Sequence, residues 1–217
     1  MQLSITLIII IITTLVSIGG FSNQKIVDDL IFSPPMVSKR GQWYRFITCG
    51  LIHADFMHLI FNMWALYIFG GEVERAFSLL FGSAGKWYYL FMYVSAFIVS
   101  ILPTYFRHMN DYYYRSLGAS GAVSAVIFAG MMLSPATTLI IFPIPARIPG
   151  FIFAPLYLLM SAYLDRKGGT NINHSAHIWG AIYGLLFIIV GSKLVGYDII
   201  RNAVNQVTLY MQSKGWI

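Results

Sequence analysis

Two stretches carry residues that could do covalent chemistry together: Gly118–Ala119–Ser120–Gly121, and a histidine pair at His174 and His177. A serine hydroxyl is a poor nucleophile until a neighbouring base takes its proton. An imidazole, with an ordinary pKa near 6.5, suits that task. Acyl transfer also needs hydrogen-bond donors aimed at the developing oxyanion, each worth roughly 2.7–4 kcal/mol in known cases. His58 and Asn62 stand at i and i+4, so on a helix they share one face. With the backbone N–H of Ser120 at a helix N-terminus, where the dipole favours negative charge, they could supply such donors. No His-Glu-x-x-His zinc pattern occurs, and neither metal nor cofactor is expected.

The setting for these groups follows from composition. Of 217 residues, 58% are hydrophobic and only 10% charged, with a mean hydropathy of +0.70. A soluble domain carries about 25% charged residues, so this chain has too little polar surface to coat a globule in water. Part of its solvent must be lipid. The formal charge of +6 comes without a basic stripe interleaved with aromatics, so it reads as loop charge near lipid headgroups rather than a nucleic-acid footprint. The single cysteine, Cys49, can form no internal disulfide.

A spanning helix needs about 20 largely apolar residues. The sequence accommodates six: Leu3 to Gly20, Asp55 to Gly70, Trp87 to Tyr105, Leu117 to Leu133, Pro149 to Leu164 and Asn173 to Leu194. The expected fold is therefore an all-α, polytopic bundle, with one domain over residues 1–200 and a tail, 201–217, lying along the membrane surface. The first segment has no basic flank or small-residue cleavage site and reads as a retained signal-anchor. In the long loop after it, Pro34–Pro35 is expected to forbid a helix. Trp87, Tyr88 and Tyr89 mark a headgroup-level aromatic belt.

Six spans put both termini on one side, and spans two, four and six then start from the same face. His58 and Asn62 open the second, Ser120 the fourth, and His174 and His177 the sixth. All are thus expected at similar depth below one membrane face. Singly, each has an ordinary reading: a serine bonded to its own backbone, a packed histidine, an asparagine gluing helices. Ionisable groups at membrane depth are nonetheless costly and face protein or a watery cavity, so their convergence argues for a site. Gly118, Gly121, Gly180 and Gly184 would let the fourth and sixth helices touch backbone to backbone, bringing a short serine side chain within reach of a histidine. Orientation does not follow from charge. Arg75, Lys86, Arg147, Lys193, Arg201 and Lys214 fall on one side, and Lys25, Lys39, Arg40, Arg45, Arg107, Arg115, Arg166 and Lys167 on the other.

These residues resemble the rhomboid family of intramembrane serine proteases. Gly118–Ala119–Ser120–Gly121 is similar to its GxSG motif, His58–Leu59–Ile60–Phe61–Asn62 to its HxxxN motif, and His177–Ile178–Trp179–Gly180–Ala181–Ile182–Tyr183–Gly184 to its histidine helix. Trp43–Tyr44–Arg45 resembles the family's Trp-Arg motif with one residue inserted. Gly70 to Arg75 resembles the end of the second family helix, where a glutamate, here Glu74, stabilises the following loop. The resemblance implies a Ser120–His177 pair without an acidic third member, an oxyanion site at His58 and Asn62, and no metal. It implies hydrolysis of peptide bonds in or beside transmembrane segments of other membrane proteins, from a bacterial inner membrane with cytoplasmic termini. It also implies that the fifth span and the loop at Asp165–Gly169 form a gate and cap. Where some members place an aromatic four residues after the nucleophile, this chain has Ser124, so His174 or Trp179 would orient His177.

Two other readings compete. A catalytically dead relative that binds client helices would be expected to lack Ser120 or His177, and both are present. A transporter or proton channel lined by His58, His174 and His177 would show internal repeats or paired broken helices, and neither is evident.

Overall fold

The computed structural model describes residues 4–140, 147–170 and 172–217. Helix α1 (Ile5–Ser22) opens the chain, its expected first residue, Leu3, lying outside the described set. Its burial is inverted relative to a soluble helix. Thr6, Thr13, Ser17 and Gly20 face inward, whereas Ile8, Ile11, Ile12, Leu15 and Ile18 are exposed. Such a helix is stable only where the surroundings are apolar.

The loop that follows is structured by three short helices, α2 (Gln24–Leu30), α3 (Pro34–Arg40) and α4 (Arg45–Thr48), ending in a tight turn at Cys49–Leu51. Helix α3 corrects the expectation that Pro34–Pro35 excludes one. The two prolines occupy its first positions after an extended Ser33, where their missing N–H groups would have had no intrahelical partner. Phe32, Val37, Phe46 and Cys49 bury this loop against Ile101 and Tyr105.

Helix α5 (Phe56–Phe81) is 26 residues long, about three turns beyond Gly70, including the charged stretch Glu72–Arg75, being absorbed into it. Helix α6 (Gly85–His108) returns antiparallel to it. Helix α7 (Ser120–Leu133) is only 14 residues, about 21 Å, against a hydrocarbon core of about 30 Å. After it, β1 (Thr138–Ile140) pairs antiparallel with β2 (Arg147–Pro149), in register Thr138↔Pro149, in a stretch where proline disfavours helix. Helix α8 (Gly150–Lys167) follows, then α9 (His174–Leu194) and α10 (Ile199–Ser213).

Three stretches of the described residues are long and apolar enough to cross a membrane: Ile5–Ser22, Phe56–His108 (which holds both α5 and α6) and His174–Leu194. Helix α7 is apolar but shorter, and α8 ends in Asp165, Arg166 and Lys167. The whole is a polytopic helical bundle, all-α apart from the one small hairpin among the described residues. Its core is centred on Leu66, Val73, Phe77, Tyr89, Met92, Ala122, Val126 and Ile188, drawn from α5, α6, α7 and α9. The tail is helical and docked: Gln206 Nε2 donates to the Leu133 carbonyl at 3.0 Å, satisfying one of the open carbonyls at the end of α7.

Candidate active site

Helices α7 and α9 meet along their glycines. A Cβ placed on Gly180 would stand 2.0 Å from the Gly121 carbonyl oxygen, and one on Gly184 would stand 2.0 Å from that of Ala125. No side chain larger than hydrogen fits at either place, so the two backbones are in contact. Gly121 is closed in from the other side as well, because a Cβ there would meet Ser100 Oγ of α6 at 2.4 Å. Across this seam Ser120 Oγ and His177 Nε2 lie 2.7 Å apart. Both residues are only partly buried. A hydroxyl at hydrogen-bond distance from an imidazole nitrogen, in a site reachable from outside, is the arrangement that general-base activation requires.

His174, one turn ahead of His177, is buried, and its ring meets that of His177 edge-on with centroids 6.0 Å apart. Trp179 is 44% exposed and points away from the core. Of the two candidates for supporting His177, the histidine is thus the neighbour. Asn173 caps α9 through Oδ1, which accepts from the Ala176 N–H at 3.0 Å.

On α5, Asp55 caps the helix by accepting from the His58 N–H at 2.8 Å. The His58 ring then lies against Gly118, where φ is +112°. A Cβ on Gly118 would fall 2.6 Å from His58 Cε1 and 2.9 Å from Nε2. Glycine is required here twice over, by backbone conformation and by the ring that fills the space. Asn62 is buried, and its Nδ2 donates to the His58 carbonyl at 3.0 Å, leaving one amide hydrogen uncommitted.

The approach to Ser120 is tied to the first loop. Ser116 exchanges two backbone hydrogen bonds with Phe32, at 3.0 and 3.1 Å. The Gly118 N–H donates to the Cys49 carbonyl at 2.9 Å, and the Ala119 N–H donates to His53 Nε2 at 3.3 Å. Ala119 gives α7 no side-chain cap, and the Ser120 N–H has no acceptor among the described residues. An uncapped helix N-terminus presents open donors to whatever anion arrives.

The remaining sequence candidates act at a distance from the pair. Arg45 is 3% exposed and anchors the first loop, donating through NH1 to the Asp28 and Ile31 carbonyls at 2.8 and 2.7 Å and through Nε to Gln42 at 2.7 Å. Trp43 does not share this role. It is 59% exposed and stacks on Phe46, so the inserted Tyr44 separates the two residues functionally. Glu74 differs from the expectation drawn from resemblance. Its carboxylate does not hold the loop after α5 but caps α1, accepting from the Ile5 and Thr6 N–H groups at 2.8 and 3.0 Å. The Thr6 hydroxyl lies between Glu74 Oε2, at 2.9 Å, and the Tyr89 hydroxyl, at 3.0 Å. The reason is the extra length of α5, which carries Glu74 past the start of α1 in mid-helix. No group of three or more potential metal ligands occurs among the described residues.

His53 was not singled out by sequence, because it precedes α5 and shares no helical face with His58. It is 3% exposed, and its ring packs edge-on to that of His58 at 4.9 Å. Burial first, and then the neighbouring His58, hold its pKa down to about 3, against a smaller opposing pull from Asp55.

Comparison with known proteins agrees with this architecture. Residues 40–194 match the family described as the Rhomboid domain. The rhomboid protease GlpG of Haemophilus influenzae is 26% identical over 198 residues, covering 89% of this chain and 93% of that protein. The rhomboid protease AarA of Providencia stuartii is 26% identical over 177 residues, covering 73% and 60%. The mitochondrial RHOMBOID-like protein 12 of Arabidopsis thaliana is 30% identical over 176 residues, which cover 74% of this chain but only 50% of that longer protein. With the matched region extending from the end of α3 through α9, the chain belongs to the rhomboid family of intramembrane serine proteases.

Proposed function

We propose that this chain cuts peptide bonds in or beside transmembrane segments of other membrane proteins, with Ser120 as nucleophile and His177 as its base. The observation that carries this reading is the 2.7 Å approach of Ser120 Oγ to His177 Nε2 across a seam with no room for adjustment. In the first step His177 Nε2 takes the hydroxyl proton as Oγ bonds to the peptide carbonyl carbon, and the carbonyl oxygen becomes an oxyanion. That charge falls to the open Ser120 N–H, to His58 and to the free hydrogen of Asn62. The His58 tautomer supports the assignment. Its Nδ1 faces the Ala54 N–H at 3.5 Å, which places the proton on Nε2, the nitrogen turned toward Gly118. Collapse of the intermediate breaks the C–N bond, and His177 gives its proton to the leaving amine. Water, deprotonated by His177, then attacks the acyl-enzyme carbon, and Ser120 leaves with the returning proton. Every proton is carried by His177, so the scheme needs neither a metal nor an acidic third member.

Gly118, Gly121, Gly180 and Gly184 serve by what they omit, and His174 by packing on His177. The expected loop at Asp165–Gly169 is in part helix, Asp165 to Lys167 forming the end of α8, and α8 with the Gly168–Gly169 segment acts as the entry for substrate and water. The same reading puts both termini in the cytoplasm of a bacterial inner membrane.

The test is incubation of the purified protein in liposomes with a tagged transmembrane substrate, beside Ser120→Ala and His177→Ala. Cleavage by wild type alone is expected. Cleavage that persists in Ser120→Ala would sink the assignment, and no cleavage by folded wild type across several substrates would leave a helix-binding protein instead. His58→Ala and Asn62→Ala should each lower the rate by about 10²-fold or less, since other donors remain.

A further inference from the structure

His53 is a buried histidine outside the proposed chemistry, and its hydrogen bonds fix which nitrogen carries the proton. The Ala119 N–H can only donate, so His53 Nε2 accepts and is unprotonated. On the other side of the ring, Nδ1 lies 3.0 Å from Ser17 Oγ of α1. The Ser17 hydroxyl has one hydrogen, and it donates to the Leu51 carbonyl at 2.9 Å. Ser17 must then accept, and Nδ1 must donate. Two independent constraints thus select the same neutral tautomer. They form one directed chain, in which the Ala119 amide donates to His53, His53 to Ser17, and Ser17 to Leu51.

The place where this chain ends matters. Ser116, Gly118 and Ala119 have their amides occupied by Phe32, Cys49 and His53 in turn, and the Ser120 amide that follows directly has no acceptor among the described residues. Phe32 and Cys49 bind through carbonyls, which any residue type would offer. His53 is the one contact in the row made by a side chain, and it holds the residue adjoining Ser120. Resting on the reading above, we infer that His53 is a positioning residue: as a neutral, Nδ1-protonated ring it fixes the Ala119 peptide, and Ser17 of α1 sets its tautomer. Helix α1 is in this way coupled to the angle at which the Ser120 hydroxyl and amide are presented, although Ser17 lies 103 positions before Ser120 in the sequence. A ring protonated at both nitrogens would face the Ala119 N–H with a second donor, and burial against His58 opposes that state.

The experiment compares His53→Ala, His53→Gln and Ser17→Ala with wild type for cleavage of a transmembrane substrate in liposomes. Glutamine can accept from Ala119 through Oε1 and donate to Ser17 through Nε2, so it reproduces both bonds without a titrating ring. Displacements of about 1 Å near a reacting group cost on the order of 10²-fold. His53→Ala should therefore lose about that factor in kcat with KM little changed, and His53→Gln should recover most of it. Ser17→Ala should fall between, because only the Ala119 amide then constrains the tautomer and Nδ1 has lost its acceptor. Nitrogen-15 NMR of histidine-labelled wild type in detergent should place one buried neutral ring in the Nδ1-protonated form, and Ser17→Ala should weaken that preference. The inference is overturned if folded His53→Ala keeps its kcat, if glutamine is no better than alanine, or if no ring shows that tautomer. Failure of the protease reading would look different: wild type itself would not cleave, while the NMR result would stand.

Discussion

The seam between α7 and α9 and the flank formed by α8 are built on opposite principles. In α7, nine of 14 residues are buried, and α9 approaches it so closely that two glycines stand where no Cβ can. In α8, only Gly150 and Ser161 of 18 residues are buried, while Leu156, Leu159, Met160 and Tyr163 are exposed. The first arrangement holds Ser120 and His177 to a single geometry. The second leaves a helix largely uncovered, which leans on α9 and reaches α7 through Tyr157 against Phe128. On the reading proposed above, chemistry that tolerates no displacement sits on the dense side, and the sparse side would admit a bulky substrate helix.

That contrast can be broken most severely at Gly180. Gly180→Ala would force the helices apart, costing about 1–3 kcal/mol in overpacking and roughly 10²-fold in cleavage. Thermal unfolding in detergent and a cleavage assay would read the two effects. A fully active Gly180→Ala would show that the seam is not what fixes the pair. The next largest effect is expected for Glu74→Ala, which leaves the first amides of α1 without acceptors and should cost about 1–3 kcal/mol. Its unfolding temperature should drop, with a smaller loss of activity than at Gly180 because α1 lies outside the seam. Smallest in stability is Tyr157→Ala on α8, expected to lower unfolding temperature slightly and to raise the cleavage rate a few-fold by freeing the helix. A fall in rate would mean that α8 positions substrate rather than admitting it.

How much of this was legible beforehand varied with the kind of signal. His58 with Asn62, and His174 with His177, announced themselves through helical spacing, and the glycines of the seam through their four-residue interval. His53 carried no such periodicity. Its partners, Ser17 and Ala119, lie 36 and 66 positions away, and only the folded chain brings them together. Glu74 failed for a related reason, since its partners on α1 are 69 and 68 positions distant. The charges at Glu72 to Arg75 also made α5 look finished at Gly70, when their side chains in fact leave the helix axis for solvent or for α1. The proline pair misled because its effect depends on position within a turn, which composition does not convey.

The distances along the chain also set an order in time. Glu74 can reach α1 early in synthesis, and Ala119 can reach His53 next, but His177 is 57 positions later than Ser120. At roughly 5–20 residues per second, Ser120 waits about 3–11 s for His177 to be made. During that interval every neighbouring membrane protein, including the nascent chain's own earlier helices, is beside a serine that has no histidine partner yet. With Ser120 and His177 in the roles proposed above, the split of the site across α7 and α9 would act as a delay, keeping the enzyme silent until α9 has been inserted.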